Sequence, residues 1–596
     1  MKFFRSFLAS MLAVLIGIFV VIPVLFFVVV GIFSAVANSG NEPVRLRNES
    51  ILKIELKGTL VEDASPTSAG FDLSRFLPFS GDVSTEKMGL YQIIQSLEAA
   101  SEEEKISGLY LNLNPFLQTG WANLKSIREA LVDFQASGKF IYAYAEIYTE
   151  KSYYLASVAD EVFMPAEGRI EFNGFASTPM FYTGLFEKAG IEPLIFRVGS
   201  FKSATEPYSR KSMSPESRAQ TSTLLDDLWL NFAEDVSRAR GLTMSQLNQL
   251  AEEFVIGDGA EAVRVGLIEE HLYEEEVLEK MLREVKAEEV DDLPLVPFRK
   301  YLLSPKTRGK ASQGKIAVIF AEGVIQGGKS GSGVIGSESM LKTLKRVRED
   351  KKIKAVVLRV NSPGGTQLAS DLIAREIAAC TKVKTVVTSM GDYAASGGYY
   401  ISAPSDRIFA EASTITGSIG VYSILFDTRK LFNEKLGLTF DEVETHSYAN
   451  FGNPFYEMSA AEKALFKAQT NKAYSSFIHI VREGRGFTDS LAVDKIGQGR
   501  VWSGEAAKRI NLVDEIGGLE AALAYAAEQA GLGDEYRVVR FSAPQDPFEE
   551  LLAELQESSQ LDMEALREEL LLIYEVKRHF PQSGTYALMP YRLEVR

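Results

Sequence analysis

The sequence has one cysteine and four histidines in 596 residues, and both shortages narrow the chemistry open to it. A lone thiol, Cys380, can form neither an intrachain disulfide nor a cysteine-based zinc cluster. It lies in the apolar helical stretch DLIAREIAAC, where a buried, inert thiol is expected. There is no metal-ligand cluster, no Walker-type nucleotide loop and no G-x-S-x-G motif. No cofactor and no metal are therefore expected. Basic runs are scarce too: 64 Lys and Arg face 80 Asp and Glu, a formal charge of −16. Without a Lys/Arg block beyond the extreme N-terminus, nucleic acid is a poor partner candidate.

One long apolar run is present. Lys2 and Arg5 precede an uncharged stretch from Ser6 to Asn41, and its apolar part, residues 7–33, exceeds the roughly 20 residues that cross a bilayer. Ala35-Val36-Ala37 has the form of a signal cleavage site, but a signal's apolar core is usually about 7–15 residues. An uncleaved N-terminal transmembrane helix fits better. Holding Lys2 and Arg5 in the cytoplasm puts the bulk of the chain across the membrane, on the periplasmic side of an inner membrane, although Arg45 and Arg47 pull the other way. The remaining composition, 46% apolar and 24% charged, is that of a chain folding in water.

The sequence also contains itself twice. IKAVVLRVN from Ile353 answers ISGLYLNLN from Ile106, and YYISAPSDRIF from Tyr399 answers YYLASVADEVF from Tyr153. The block from Gly452 loosely matches that from Thr205, with Pro454 opposite Pro207, and Ile510-Asn-Leu-Val-Asp answers Val265-Gly-Leu-Ile-Glu. Four blocks in one order, each about 245 residues from its partner, indicate a duplication. Each copy alternates Val/Ile-rich runs with helical periodicity, as in KIAVIF, ESMLKTLKRVRED, KAVVLRV, TQLASDLIAREIAAC and TVVTSM. Such βαβα order predicts an α/β fold with a mainly parallel sheet. The expected units are an anchor (1–45), a first repeat (46–310), a second repeat (311–545) and a C-terminal helical extension (546–596), the last read as a docking or packing element.

Two glycine-bearing junctions in the second copy could carry chemistry. The strand KAVVLRVN runs into Ser362-Pro363-Gly364-Gly365 ahead of a helix, where outward-pointing amides can hold an oxyanion. The strand TVVTSM leads to Ala394-Ala395-Ser396-Gly397-Gly398, which gives Ser396 an exposed hydroxyl and small neighbours, as a serine nucleophile requires. None of His271, His446, His479 and His579 lies in a constrained motif, so a Ser-His-Asp triad has little support. A lysine base is the alternative, and it needs a pKa lowered by desolvation.

The blocks SPGG, AASGGYY and TGSIGVYS, with FKSATEPYSRKSMS in the first copy, resemble the signal peptide peptidase A (protease IV) family of the long, duplicated type. The resemblance covers nearly the whole chain after the apolar run. It implies a Ser-Lys dyad with Ser396 as nucleophile and Lys202 as general base, Ser418 orienting the lysine, and Gly365 and Gly397 forming the oxyanion hole. It further implies a tandem duplication of a Clp-protease/crotonase-like unit, assembly as a homotetramer, and remnant signal peptides and other short apolar peptides as substrates.

The duplication gives an independent check. Aligned on the YY blocks, Ser396 falls opposite Glu150, and the SPGG glycines fall opposite Leu117 and Gln118. Aligned on the prolines, Lys202 falls opposite Ala449. Each copy keeps the half-site that the other lacks. Glu150 is then a decayed position, and Asp392 and Asp406 are turn and cap residues. The rival functions are a catalytically silent peptide-binding scaffold and an acyl-CoA enzyme of the same superfold.

Overall fold

The computed structural model describes residues 46–64, 87–253, 258–287, 289–302, 314–533, 536–542 and the backbone of 584–588. The apolar run 7–33 and the extension 546–580 expected to be helical lie outside these residues. Among the described residues no helix is long and apolar enough to cross a membrane.

Two large sheets carry the duplication. The first is all parallel, in the order Glu270–His271, Glu161–Met164, Phe140–Tyr144, Ile106–Leu113, Ser50–Leu56, Leu295–Pro297. The second, of eight strands, repeats that order with Glu515–Ile516, Arg407–Ala410, Thr385–Ala395, Ile353–Ser362, Gly314–Glu322 and Tyr536–Phe541, all parallel, and adds Ile415–Gly417, parallel to Thr385–Ala395, and Val501–Ser503, antiparallel to Ile415–Gly417. Helices repeat as well: Trp121–Ala136 matches Gln367–Thr381, and Pro215–Arg240 matches Ala460–Arg485. The ends of the last pair show why the register survives. Ser214 and Ser459 each accept a backbone N–H of the first turn, and Gly241 and Gly486 close the helices with φ of 67° in both. Such capping satisfies the orphan groups of a helix end, and the left-handed closing residue suits glycine.

Strands buried on both faces explain the continuous apolar runs: in Ile353–Ser362 nearly every side chain is buried, as parallel sheets covered by helices require. The elements extend past the sequence reading in two places. The strand predicted at TVVTSM continues to Ala395, because Tyr393, Ala394 and Ala395 pair with Ile415, Thr416 and Gly417. The SPGG junction enters a short strand, Gly364–Thr366, before the helix begins.

A third sheet joins the copies, in the order Val334–Gly336, Val324–Gln326, Gly364–Thr366, Gly584–Leu588, Val421–Asp427, Glu192–Val198. Glu192–Val198 of the first copy pairs antiparallel with Val421–Asp427 of the second over seven residues. A buried polar cluster makes a second join. Arg359, fully buried, donates Nε–H to Glu62 Oε2 at 2.8 Å and Nη2–H to Asn123 Oδ1 at 2.9 Å. Asn361 donates to the other Glu62 oxygen at 2.8 Å. Breaking one partner of such a pair costs about 3–5 kcal/mol, because the other charge stays buried. The cluster thus locks the two copies in one relative placement.

Candidate active site

Ser396 sits where the strand Thr385–Ala395 ends and the helix Gly397–Ser402 begins. Its backbone has φ 55° and ψ −113°, a region that costs a non-glycine residue about 1–3 kcal/mol and persists only when its surroundings impose it. They do so here: Ser396 N–H donates to Gly417 O at 2.8 Å, and Ser396 O accepts from Tyr400 N–H at 2.8 Å. The matching turn of the first copy is relaxed, with Thr149 at φ −84° and ψ 166°. Glu150, opposite Ser396 in the repeat alignment, is buried and accepts a hydrogen bond from Asn173 N–H at 2.9 Å.

Lys202 reaches Ser396 from the other copy. The strand Glu192–Val198, fixed by its seven-residue pairing, delivers the chain to Gly199 and then to Lys202. Lys202 Nζ lies 2.8 Å from Ser396 Oγ, 3.0 Å from Ser418 Oγ and 3.1 Å from Ser418 O. All three residues have no exposed surface, and the contact is made within one chain. Burial, the only cause acting on it, holds the Lys202 pKa well below the ordinary lysine value, because a low-dielectric site penalises the ammonium. Ser418, like Ser396, has a positive φ, 51°, and its N–H donates to Arg500 O at 2.7 Å.

Gly365 and Gly397 face each other beside Ser396. A Cβ on Gly397 would come 2.9 Å from Gly365 N, and one on Gly365 would come 1.8 Å from Ile325 O. Only glycine allows backbones this close. The Gly397 amide opens a helix, where N–H groups lack an intrahelical partner.

Peptidase family S49 matches the sequence twice, over residues 133–288 and 378–533. "Serine protease SPPA, chloroplastic" of Arabidopsis thaliana is 34% identical over 522 residues, covering 85% of this chain and 74% of that protein. "Protease 4" of Salmonella typhi is 33% identical over 510 residues, 84% of this chain and 82% of that protein. "Protease 4" of Haemophilus influenzae is 32% identical over 517 residues, 85% and 83% respectively. The chain belongs to peptidase family S49. It is a serine peptidase with the family's domain in tandem.

In this S49 peptidase several residues that the sequence did not single out hold the site together. Gly499, at φ 77°, packs so tightly that a Cβ there would come 2.5 Å from Lys202 Cβ. Phe201 N–H donates to Gln498 O at 2.9 Å, so the segment 498–500 backs the lysine. Gln220 joins both copies: its Nε2 donates to Phe201 O and Ser203 Oγ, and its Oε1 accepts from Val501 N–H. Buried Glu206 accepts from Ser214 N–H and Oγ at 2.9 and 2.5 Å, closing the loop after Lys202. The one sequence signal that could have marked this segment is its pair of glycines, Gly497 and Gly499.

The remaining expected residues fall into place. Asp392 accepts hydrogen bonds from Gly120 N–H at 2.8 Å and Asn123 N–H at 2.9 Å. It therefore caps the helix Trp121–Ala136 of the opposite copy. Asp406 accepts from Val386 N–H at 2.8 Å, which ties the start of Arg407–Ala410 to the start of Thr385–Ala395 and is neither a turn nor a helix-cap contact. Cys380 is buried, and burial pushes its thiol up to about 11. Ala449, opposite Lys202 in the repeat, lies in a largely exposed segment. Among the described residues no histidine bonds Ser396 or Lys202.

Proposed function

We propose that this S49 peptidase is a membrane-anchored endopeptidase that degrades remnant signal peptides and other short apolar peptides through a Ser396–Lys202 dyad. The observation that carries the mechanism is the 2.8 Å contact between Lys202 Nζ and Ser396 Oγ in a fully buried setting. A neutral amine has one lone pair and two N–H donors. With the lone pair toward the Ser396 hydroxyl, the two donors match the two acceptors supplied by Ser418 Oγ and O. Ser418 thus fixes which way the basic lone pair points.

Lys202 Nζ takes the proton as Ser396 Oγ attacks the scissile carbonyl. The charge on the carbonyl oxygen falls to the amides of Gly365 and Gly397, and losing one such donor costs about 3–4 kcal/mol of transition-state stabilisation. Lys202 then hands the proton to the leaving nitrogen. Water, deprotonated by the same amine, releases the acyl group and restores Ser396. Residues 7–33 hold the site near the membrane, with the folded part on the periplasmic side. The Clp-protease/crotonase-like repeats assemble as a homotetramer.

Labelling with a serine-directed fluorophosphonate tests this. Wild type is expected to react and to hydrolyse casein and a signal-peptide fragment, whereas Ser396→Ala and Lys202→Ala do neither. Undiminished labelling of Ser396→Ala would remove the nucleophile assignment, and full activity in Lys202→Ala would remove the base.

A further inference from the structure

The strand that delivers Ser396 changes direction on the way. Val360 pairs with Met390 and Ser362 with Ala394, so Gly391, Asp392 and Tyr393 of Thr385–Ala395 lie opposite Asn361 alone. Such a bulge re-aims the strand beyond it. Before the bulge Val387–Met390 pair with Arg407–Ala410; after it Tyr393–Ala395 pair with Ile415–Gly417. That change of partner brings Ser396 to Gly417, and with it to Ser418 and Lys202.

Hydrogen bonds hold the bulge from both copies. Within the second copy, Tyr393 N–H donates to Asn361 Oδ1 at 3.1 Å and Thr414 Oγ–H to Gly391 O at 2.9 Å. From the first copy, Gly120 N–H donates to Asp392 Oδ2 at 2.8 Å and Asn123 N–H to Asp392 Oδ1 at 2.9 Å, at the start of the helix Trp121–Ala136. A carboxylate suits that place, because it offers one oxygen to each amide and a helix N-terminus favours an anion. The fit is close: a Cβ on Gly120 would come 2.3 Å from Asp392 Cγ, and one on Gly391 would come 2.6 Å from Glu62 Oε1. In the first copy, which has no nucleophile, the residue opposite Asp392 is Glu146, and it is exposed.

We infer that Asp392 is a positioning residue for the peptidase reaction: its carboxylate, held by the first copy's helix, fixes the bulge and so sets Ser396 Oγ within reach of Lys202 Nζ. The inference rests on the Ser396–Lys202 reading above. Asp392 acts through the backbone of residues 393–396. Burial, aided by the charge of Glu62, pushes its carboxyl up to about 6, while the two amides and Arg359 pull it down. Glu322, at the end of Gly314–Glu322, faces it as well. Above about pH 6 the carboxylate accepts from both amides. As pH falls through 6 it takes a proton, one oxygen becomes a donor pointed among donors, and the hold slackens.

Second-order rates of fluorophosphonate labelling from pH 5 to 9 test this on full-length wild type, Asp392→Asn, Asp392→Ala, Arg540→Ala and Ser396→Ala, with casein kinetics and thermal unfolding on the same samples. Asp392→Asn keeps the shape but turns an N–H toward one of the two amides. At pH 8 both Asp392 variants are expected to label about 10- to 100-fold more slowly than wild type, as a slightly misplaced reacting group does, with kcat for casein falling in step and KM little changed. The advantage of wild type over Asp392→Asn is expected to shrink as pH falls through 6, since the Lys202 titration, common to both, cancels in the ratio. Arg540→Ala removes an ion pair to Asp63 of the first copy, two strands away from Thr385–Ala395; it should melt lower yet label like wild type. Labelling of Asp392→Asn at the wild-type rate, a ratio that does not change with pH, or an equal loss in Arg540→Ala overturns the inference and leaves the dyad standing. Where the Asp392 variants do not fold, the wild type alone decides: its acid limb is expected to steepen below about pH 6, and a one-proton limb down to pH 5 overturns the inference. A wild type that does not label, or a Ser396→Ala that labels equally, overturns this inference and the dyad together.

Discussion

Replacing Ser418 by Ala tests the lysine's orientation without touching the dyad. The substitution deletes one of the three polar contacts of Lys202 Nζ, the 3.0 Å bond to Ser418 Oγ, and keeps those to Ser396 Oγ at 2.8 Å and Ser418 O at 3.1 Å. A buried hydrogen-bonding group left without its partner costs about 1–3 kcal/mol. At about 1.4 kcal/mol per factor of ten, kcat should fall by roughly 5- to 150-fold, with KM for a peptide substrate little changed. The pH profile gives a second, independent readout. The lost hydroxyl accepted from Nζ and so favoured the ammonium; without it the already lowered lysine pKa drops further. The acid limb of kcat/KM should therefore move to lower pH. Steady-state kinetics on a fluorogenic peptide from pH 5 to 10 would show both effects. An unchanged kcat, or an acid limb that moves to higher pH, would refute the orienting role. A loss as complete as that of Ser396→Ala would mean that Ser418 does more than orient.

Three other outcomes follow from the same structure. Gly365→Ala places a methyl group 1.8 Å from Ile325 O. The strand must shift, and kcat for casein should drop by about 10²-fold or more while thermal unfolding shows a folded protein; near-normal kcat would argue that the Gly365 amide is not used. Lys202→Met should flatten stability against pH above neutrality. Because the folded lysine pKa lies well below 10.5, the unfolded chain binds more protons between the two values and wild-type stability rises with pH there; equal slopes for the two proteins would contradict this. Glu411, fully buried, accepts from Ser126 Oγ at 2.9 Å, and burial pushes its carboxyl up to about 8 from 4.5. The folded state thus binds the extra proton, and wild-type stability falls as pH rises from 4.5 through 8. Glu411→Gln should gain in relative melting temperature across that window, which differential scanning fluorimetry at stepped pH would show.

The sequence by itself determined the repeat and supplied, through its resemblance to a family, the groups proposed to react. Strand and helix periodicity is local, so KIAVIF, KAVVLRV and TVVTSM are legible as strands wherever they end up, and their matched spacing predicts two sheets of one order. The absence of a base beside Ser396, and of a nucleophile beside Lys202, pointed to a site shared by two copies. Only the tertiary structure decided how that site closes. Nothing in Glu192–Val198 announces that it pairs with Val421–Asp427, because strand pairing depends on which edges meet, and those edges are far apart in sequence. The support given by Gln220, Glu206 and Gly499 was invisible for the same reason: one glutamine among many becomes structural only when its amide bridges Phe201, Ser203 and Val501. Burial likewise belongs to the folded state. Lys202 is an ordinary basic residue in sequence, and packing between the two copies removes the water that stabilises its ammonium and so lowers its pKa.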